Sequence, residues 1–151
     1  MIVRPLRPED LDEVGRIERQ AMASPWSAAQ LRAETEVVGG VALVAESGES
    51  LCGYAFFRTC LPECELLHLV VAPEWRRQGV AMTLLNQALT GLADQGYTTC
   101  FLEVRASNDA ARHLYACAGF LQTGIRKHYY NQPVEDALLL TRDLLAGTGG
   151  S

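Results

Sequence analysis

Four side chains stand where their types can move protons. Glu103 lies near the end of the run Thr98–Val104, sharing a strand face with Thr99 and Phe101, while Cys100, Leu102 and Val104 point the other way. A carboxylate there is either a general base or a solvated strand-end group beside Arg105. Tyr115 follows Asn108 by about two helical turns. Its phenol, ordinarily titrating at about 10, is either a general acid or an amphipathic core residue. His68, between Leu67 and Leu69, is a base titrating near neutrality or a satisfied core imidazole. Glu65, on the same run, is a third candidate base.

A second cluster of residue types suits an anion. In Val70-Val71-Ala72-Pro73-Glu74-Trp75-Arg76-Arg77-Gln78-Gly79-Val80-Ala81-Met82, Pro73 ends an apolar strand and a helix starts close to Gly79. A helix N-terminus offers free N–H groups, and Gly79 and Ala81 let a ligand approach the backbone. The Arg76 and Arg77 guanidiniums suit phosphate oxygens. The same residues also make an ordinary solvated helix start. No Gly-Lys-Ser/Thr follows, and the glycine spacing is not that of a dinucleotide fingerprint.

Positioning these groups takes an alternation of strands and helices. Residues 2–6 read as a strand, and Pro8-Glu9-Asp10 opens a helix to Ala21 with Leu11, Val14, Ile17 and Ala21 inward. Ser27 caps a second helix to Glu36. Val41–Ala45, Leu51–Arg58 and Glu65–Ala72 are strands, the first two joined through Ser47-Gly48-Glu49-Ser50 and the third central to a sheet. Ala81, Leu84, Leu85, Ala88, Leu89 and Leu92 mark a helix stopped by Gly96. Thr98–Val104 is a strand, and Asn108 caps a helix with Ala111, Leu114, Tyr115 and Ala118 inward, ended by Gly119. Phe120–Ile125 and Ala137–Thr141 are the last strands, leaving Tyr129-Tyr130 on a loop. The order β-α-α-β-β-β-α-β-α-β-β predicts an α/β fold, a mixed central sheet with helices on both faces. Residues 1–145 form a single domain in this reading, and 146–151 a flexible Gly-rich tail.

Bulk properties narrow the partners. The chain has 151 residues and a net charge of -5, the wrong sign for generic nucleic-acid binding and the right one for a cationic partner. The N-terminus lacks a secretory pattern and no apolar run spans a membrane, so the expected location is cytoplasmic. The five cysteines, with Cys52, Cys100 and Cys117 inside apolar segments, read as buried thiols. Cys60 and Cys64 have no second ligand pair at metal-binding spacing, so no metal is expected.

Arg76-Arg77-Gln78-Gly79-Val80-Ala81 resembles the Q/R-x-x-G-x-G/A signature of the GNAT N-acetyltransferases, and the element order matches that fold. Leu102-Glu103-Val104-Arg105-Ala106-Ser107-Asn108, Leu114-Tyr115, Gly119-Phe120, Gly124-Ile125-Arg126, Tyr129-Tyr130 and Asp136-Ala137 resemble one branch. It is that of RimI-type ribosomal-protein-alanine N-acetyltransferases and their protein Nα-acetyltransferase relatives, which Pro25-Trp26-Ser27 also matches. The resemblance implies acetyl-CoA as cosubstrate. It implies that residues Arg76, Arg77, Gln78, Gly79, Val80, Ala81 and Met82 cradle the pyrophosphate, with Asn108 also contacting CoA. Backbone N–H groups at Leu69, Val70 and Val71 would hold the thioester oxygen. Glu103 would be the general base through water, Tyr115 the general acid, and Trp26, Tyr129 and Tyr130 the peptide contacts. The implied acceptor is a protein N-terminus, that of a ribosomal protein. A small amine or a lysine as acceptor, or a non-catalytic acyl-CoA-binding module, are the alternatives. Arg126-Lys127-His128 reads as a small solvated basic patch.

Overall fold

A computed structural model describes residues 1–131 and 133–145. The Gly-rich stretch 146–151 lies outside the described residues. The elements are β1 (Ile2–Pro5), α1 (Leu11–Ala21), α2 (Ala28–Glu36), β2 (Gly40–Ser47), β3 (Ser50–Cys60), β4 (Glu63–Val71), α3 (Val80–Asp94), β5 (Thr99–Arg105), α4 (Asp109–Cys117), β6 (Leu121–Asn131) and β7 (Val134–Asp143). Single 3-10 turns at Pro8–Asp10 and Pro73–Trp75 precede α1 and follow β4. Strands hydrogen-bond in the order β1-β2-β3-β4-β5-β7-β6, with β4 fourth of seven. The β4–β5 pair is parallel, while β1–β2, β2–β3, β5–β7 and β6–β7 are antiparallel, so the sheet is mixed.

Residues group into two compact units: Met1–Thr59 with Leu66–Ala88, and Cys60–Glu65 with the chain from Leu89 onward. In the first unit, Val14, Ile17 and Leu31 of α1 and α2 pack on Val44, Tyr54, Phe56 and Val70. β3 is buried at every position from Leu51 to Phe57, as a strand covered on both faces must be. Gly53 is required there: a Cβ would sit 2.6 Å from the Val70 carbonyl oxygen and 3.3 Å from Val80 Cγ1, where the start of α3 covers the opposite face. Arg4 on β1 donates to both carboxylate oxygens of Asp10, at 2.8 and 2.9 Å, and to Glu46 on β2. That bridge fastens the entry to α1 onto the sheet edge. Ser27 accepts from Gln30 N–H and Gln30 returns the bond, a capping box that starts α2 where the sequence places it.

In the second unit, Cys100, Leu102 and Val104 of β5 are buried, and Leu140 and Leu138 of β7 stand opposite Leu102 and Val104. The cysteine expectation needs correcting at Cys60 and Cys117, which are exposed. Cys117 is exposed on the outer side of α4, 3.6 Å from His113 one turn back, whereas Cys64 is buried as the register partner of Cys100. The hairpin β6–β7 also runs further than expected. Tyr129 and Tyr130 belong to β6, not to a loop: Tyr130 pairs with Glu135 and Asn131 with Val134. A bulge between Arg126 and Tyr130 hid this strand from the alternation, and His128 inside it has φ 53, its N–H donating to Asp136.

Candidate active site

The first unit carries the candidate anion-binding segment between β4 and α3. After the turn at Pro73–Trp75 the backbone adopts left-handed values at Arg77 (φ 63) and Gly79 (φ 77). The sequence asks for the second and gives no sign of the first. Such residues turn successive N–H groups to one side, the backbone arrangement of an anion nest. Thr83 N–H donates to Gly79 C=O at 3.0 Å, the first bond of α3. The N–H groups of Val80, Ala81 and Met82 therefore have no acceptor within the helix. Nothing lies within 4 Å of a Cβ built on Gly79, so its surface is open. Arg76, Arg77 and Gln78 are exposed, Val80 is buried, and Ala81 and Met82 are half-buried. These residues fit a pyrophosphate: free N–H groups, two guanidiniums and an open glycine.

On β4, Val70 is buried and Leu69 and Val71 are half-buried. Ala72 N–H donates to Cys52 C=O on β3 at 2.8 Å. Consecutive N–H groups of an extended strand face opposite edges, so those of Val71 and Leu69 point away from β3 and that of Val70 points toward it.

Also in the first unit, Trp26 is half-buried and stacks on His68, with ring centroids 4.1 Å apart and planes 12° apart. His68 is buried, and its Nε2 lies 2.7 Å from Oε1 of Glu18, which is itself fully buried. Glu18 escaped the sequence reading although its position was visible: it stands one turn after Val14 on the inward stripe of α1. Its partners on β3 and β4 are remote in sequence and left no such sign.

The second unit carries Glu103 and Tyr115, the candidate base and acid. Tyr115 packs edge-on against Phe120, with centroids 5.8 Å apart. Gly119 (φ 92) makes that contact possible by turning the chain so that Phe120 N–H donates back to Tyr115 C=O at 2.9 Å. Burial, and to a lesser degree the nearby Cys100 thiol, push the Tyr115 phenol up to about 12. Asn108 caps α4, accepting from Ala111 N–H at 3.1 Å.

Glu103, half-buried on β5, has Arg126 as its partner, with Nη2 3.3 Å from Oε1. The alternative of a pair with Arg105 is not what forms. Arg105 donates to Glu135 at 2.9 Å and lies over the Tyr130 ring at 4.1 Å. Arg126 in turn lies 5.2 Å from the Tyr129 ring centroid. Burial and then the negative charge of Glu103 raise the Tyr130 phenol, so carboxylate and phenol share one environment. The structure thus gathers Glu103, Tyr129 and Tyr130 and adds Arg126, read from sequence as a solvated patch. No hydrogen bond joins Glu103 to Tyr115 among the described residues.

A model of the Acetyltransferase (GNAT) family matches residues 11–120. The chain belongs to that family. It is an N-acetyltransferase, and enzymes of this GNAT class use acetyl-CoA as cosubstrate. Among similar proteins, the ribosomal protein bS18-alanine N-acetyltransferase of Salmonella typhimurium is 34% identical over 138 residues, covering 89% of this chain and 92% of that protein. Its Escherichia coli K12 counterpart is 33% identical over 137 residues, with the same coverage. Among solved structures, the ribosomal-protein-S18-alanine N-acetyltransferase from Escherichia coli superposes with a TM-score of 0.88 at 30% identity, over 95% of this chain and 93% of that one. Ard1 from Thermoplasma volcanium, at 24% identity and a TM-score of 0.85 over 94% and 96%, shares the fold. The sheet and its flanking helices are those of GNAT enzymes. Among the described residues no group of three or more His, Cys, Asp or Glu side chains could hold a metal ion, and no helix is long and apolar enough to cross a membrane.

Proposed function

We propose that this GNAT enzyme acetylates the N-terminal amine of a protein, a ribosomal protein beginning with alanine, by direct transfer from acetyl-CoA in the cytoplasm. The observation that carries the reading is identity of 33–34% over 89% of the chain to bS18-alanine N-acetyltransferases. We take residues 1–145 as one N-acetyltransferase domain, since the family match at 11–120 runs through both compact units.

Acetyl-CoA supplies the acetyl group as an activated thioester; this chain's residues do the rest. N–H groups of Val80, Ala81 and Met82, with Arg76 and Arg77, neutralise and hold the pyrophosphate, and Gln78 and Gly79 leave it room. The outward N–H groups of Leu69 and Val71 donate to the thioester oxygen and favour the charge that develops there; Val70 fixes the strand beneath them. Asn108 starts the helix that carries Tyr115 and contacts CoA. Glu103 takes the ammonium proton, through water. An α-amine at about 7.7–8.0 needs only a modest base, whereas a lysine at about 10.4 needs more. Tyr115 keeps its proton throughout the neutral range and donates it toward the leaving sulfur. Trp26, Tyr129 and Tyr130 supply flat apolar surface for an extended N-terminus.

The test is a mass-spectrometric assay with acetyl-CoA and two peptides. A peptide with free N-terminal alanine is acetylated; the same peptide with a blocked N-terminus and a free internal lysine reacts at least about 10-fold more slowly. Equal rates remove the Nα assignment in favour of a lysine or small-amine acceptor.

A further inference from the structure

The proton-moving roles above leave Glu18 unused, although it is the most deeply buried charged side chain described, at 0% exposure. Its carboxylate gathers groups from three separate places in the chain. Oε1 accepts from the Tyr54 hydroxyl of β3 at 2.6 Å and lies 2.7 Å from Nε2 of His68 on β4. Oε2 accepts from the backbone N–H of Trp26, in the link between α1 and α2, at 2.9 Å. All of these belong to the first unit. A carboxylate is acceptor-only, so it holds several donors at once, which no apolar or hydroxyl side chain could do at this spot.

Two of the three groups that Glu18 holds, Trp26 and His68, stack on each other. Trp26 and His68 come from segments more than forty residues apart, yet their rings lie nearly parallel, and Phe56 flanks the indole at 5.8 Å. Trp26 has no helix or strand of its own to set its backbone: α1 ends at Ala21 and α2 begins at Ala28. The N–H bond to Glu18 supplies that anchor, and the imidazole backs the indole plane. We infer that Glu18 is a positioning residue for acceptor specificity, whose buried carboxylate sets Trp26 and His68 as a rigid aromatic wall for the first residues of the acceptor chain. The inference rests on the N-terminal acceptor read above. It gives this wall a preference for a small first side chain beside an ammonium group, because a fixed plane leaves no room to swing aside and its π-face attracts a cation.

The test is steady-state kinetics with the alanine peptide and acetyl-CoA varied in turn. Glu18→Gln keeps the shape but can no longer accept from every donor; it should raise the peptide KM at least about 5-fold and leave the acetyl-CoA KM within about 2-fold. His68→Asn removes the ring behind the indole and keeps the Glu18–Trp26 bond, and it should raise the peptide KM likewise. It also keeps the test open should Glu18→Gln not fold. Tyr54→Phe deletes a donor that does not touch Trp26 and should leave the peptide KM within about 2-fold at comparable Tm loss. If kcat falls in proportion to the folded fraction with both KM values unchanged, or if Tyr54→Phe matches Glu18→Gln, Glu18 is a packing residue and the inference fails. Should the unaltered enzyme acetylate no N-terminal peptide, the acceptor assignment fails by itself. The wall is then read from Trp26 emission in a Trp75→Phe background: a shift on Glu18→Gln upholds the tether, and an unchanged spectrum overturns it.

Discussion

Tyr115 combines packing with the general-acid role proposed for it. Helical spacing put it on the inward stripe of α4, and Phe120, swung round by Gly119, now packs on its ring. The burial that makes it a core residue also lifts its phenol to about 12, so it remains a donor well above neutral pH. Tyr115→Phe should lower kcat by about 10²–10⁴ with the acetyl-CoA KM nearly unchanged, and wild-type kcat should show no downturn from this group below about pH 10. A Phe variant of normal rate would return Tyr115 to packing alone. Glu103→Gln should lose most rate at low pH, where an α-amine of about 7.7–8.0 is mainly protonated. If His68→Ala is crippled while Glu103→Gln stays near wild type, the base is misassigned. What the sequence could not display at this scale were partners. Glu103 was legible by its strand face, but its ion pair with Arg126 reaches across β7, which stands between β5 and β6, and no sequence spacing announces it. Glu18 was visible on the stripe of α1, while Tyr54 and His68 lie 36 and 50 residues away.

Elements with clean periodicity were readable, and those with a local irregularity were not. Both helix caps, Ser27 and Asn108, act where their types place them, and the strands of the apolar middle fall within a few residues of the pattern. Tyr129-Tyr130 misled because left-handed His128 breaks the alternation across Arg126–Tyr130, and exposed Arg126, Lys127 and His128 look like loop. The β4–α3 loop shows the same limit in milder form. Gly79 declared its left-handed backbone, but Arg77 adopts one with no glycine to announce it. That loop yields a direct test. Acetyl-CoA should raise Tm by mass action, and Gly79→Val should abolish the shift. The open space around Gly79 means the variant meets no neighbour in the free protein, so its intrinsic cost is the strained φ of 77, about 1–3 kcal/mol. An undiminished acetyl-CoA shift in that variant would detach the loop from cofactor binding.

For the whole molecule, the ion pairs set how the fold meets acid. A net charge of -5 looks like a liability to compactness, but several carboxylates are held by cations rather than left to repel. Arg4 holds Asp10 below the ordinary carboxylate range, first by its side-chain hydrogen bonds, against the opposing effect of burial. In the second unit Arg105 and Ser107 do the same for Glu135. A carboxylate whose pKa is lower folded than unfolded binds its proton more readily in the unfolded chain, so stability rises with pH through that range. The contribution is complete above the unfolded values of about 3.9–4.3 and disappears as pH falls through the lowered folded ones. Tm should therefore be nearly flat from pH 7 to about pH 5 and drop steeply below about pH 4. Asp10→Asn keeps the size of the side chain and removes its charge from Arg4. It should cost about 1.5–3 kcal/mol at pH 7, the range for a hydrogen bond to a charged group, and make the acid limb shallower, because one titrating partner is gone. The measurement is Tm against pH for both proteins. An acid limb of unchanged slope in Asp10→Asn would mean that the anchor between β1, β2 and the entry to α1 is not what acid undoes.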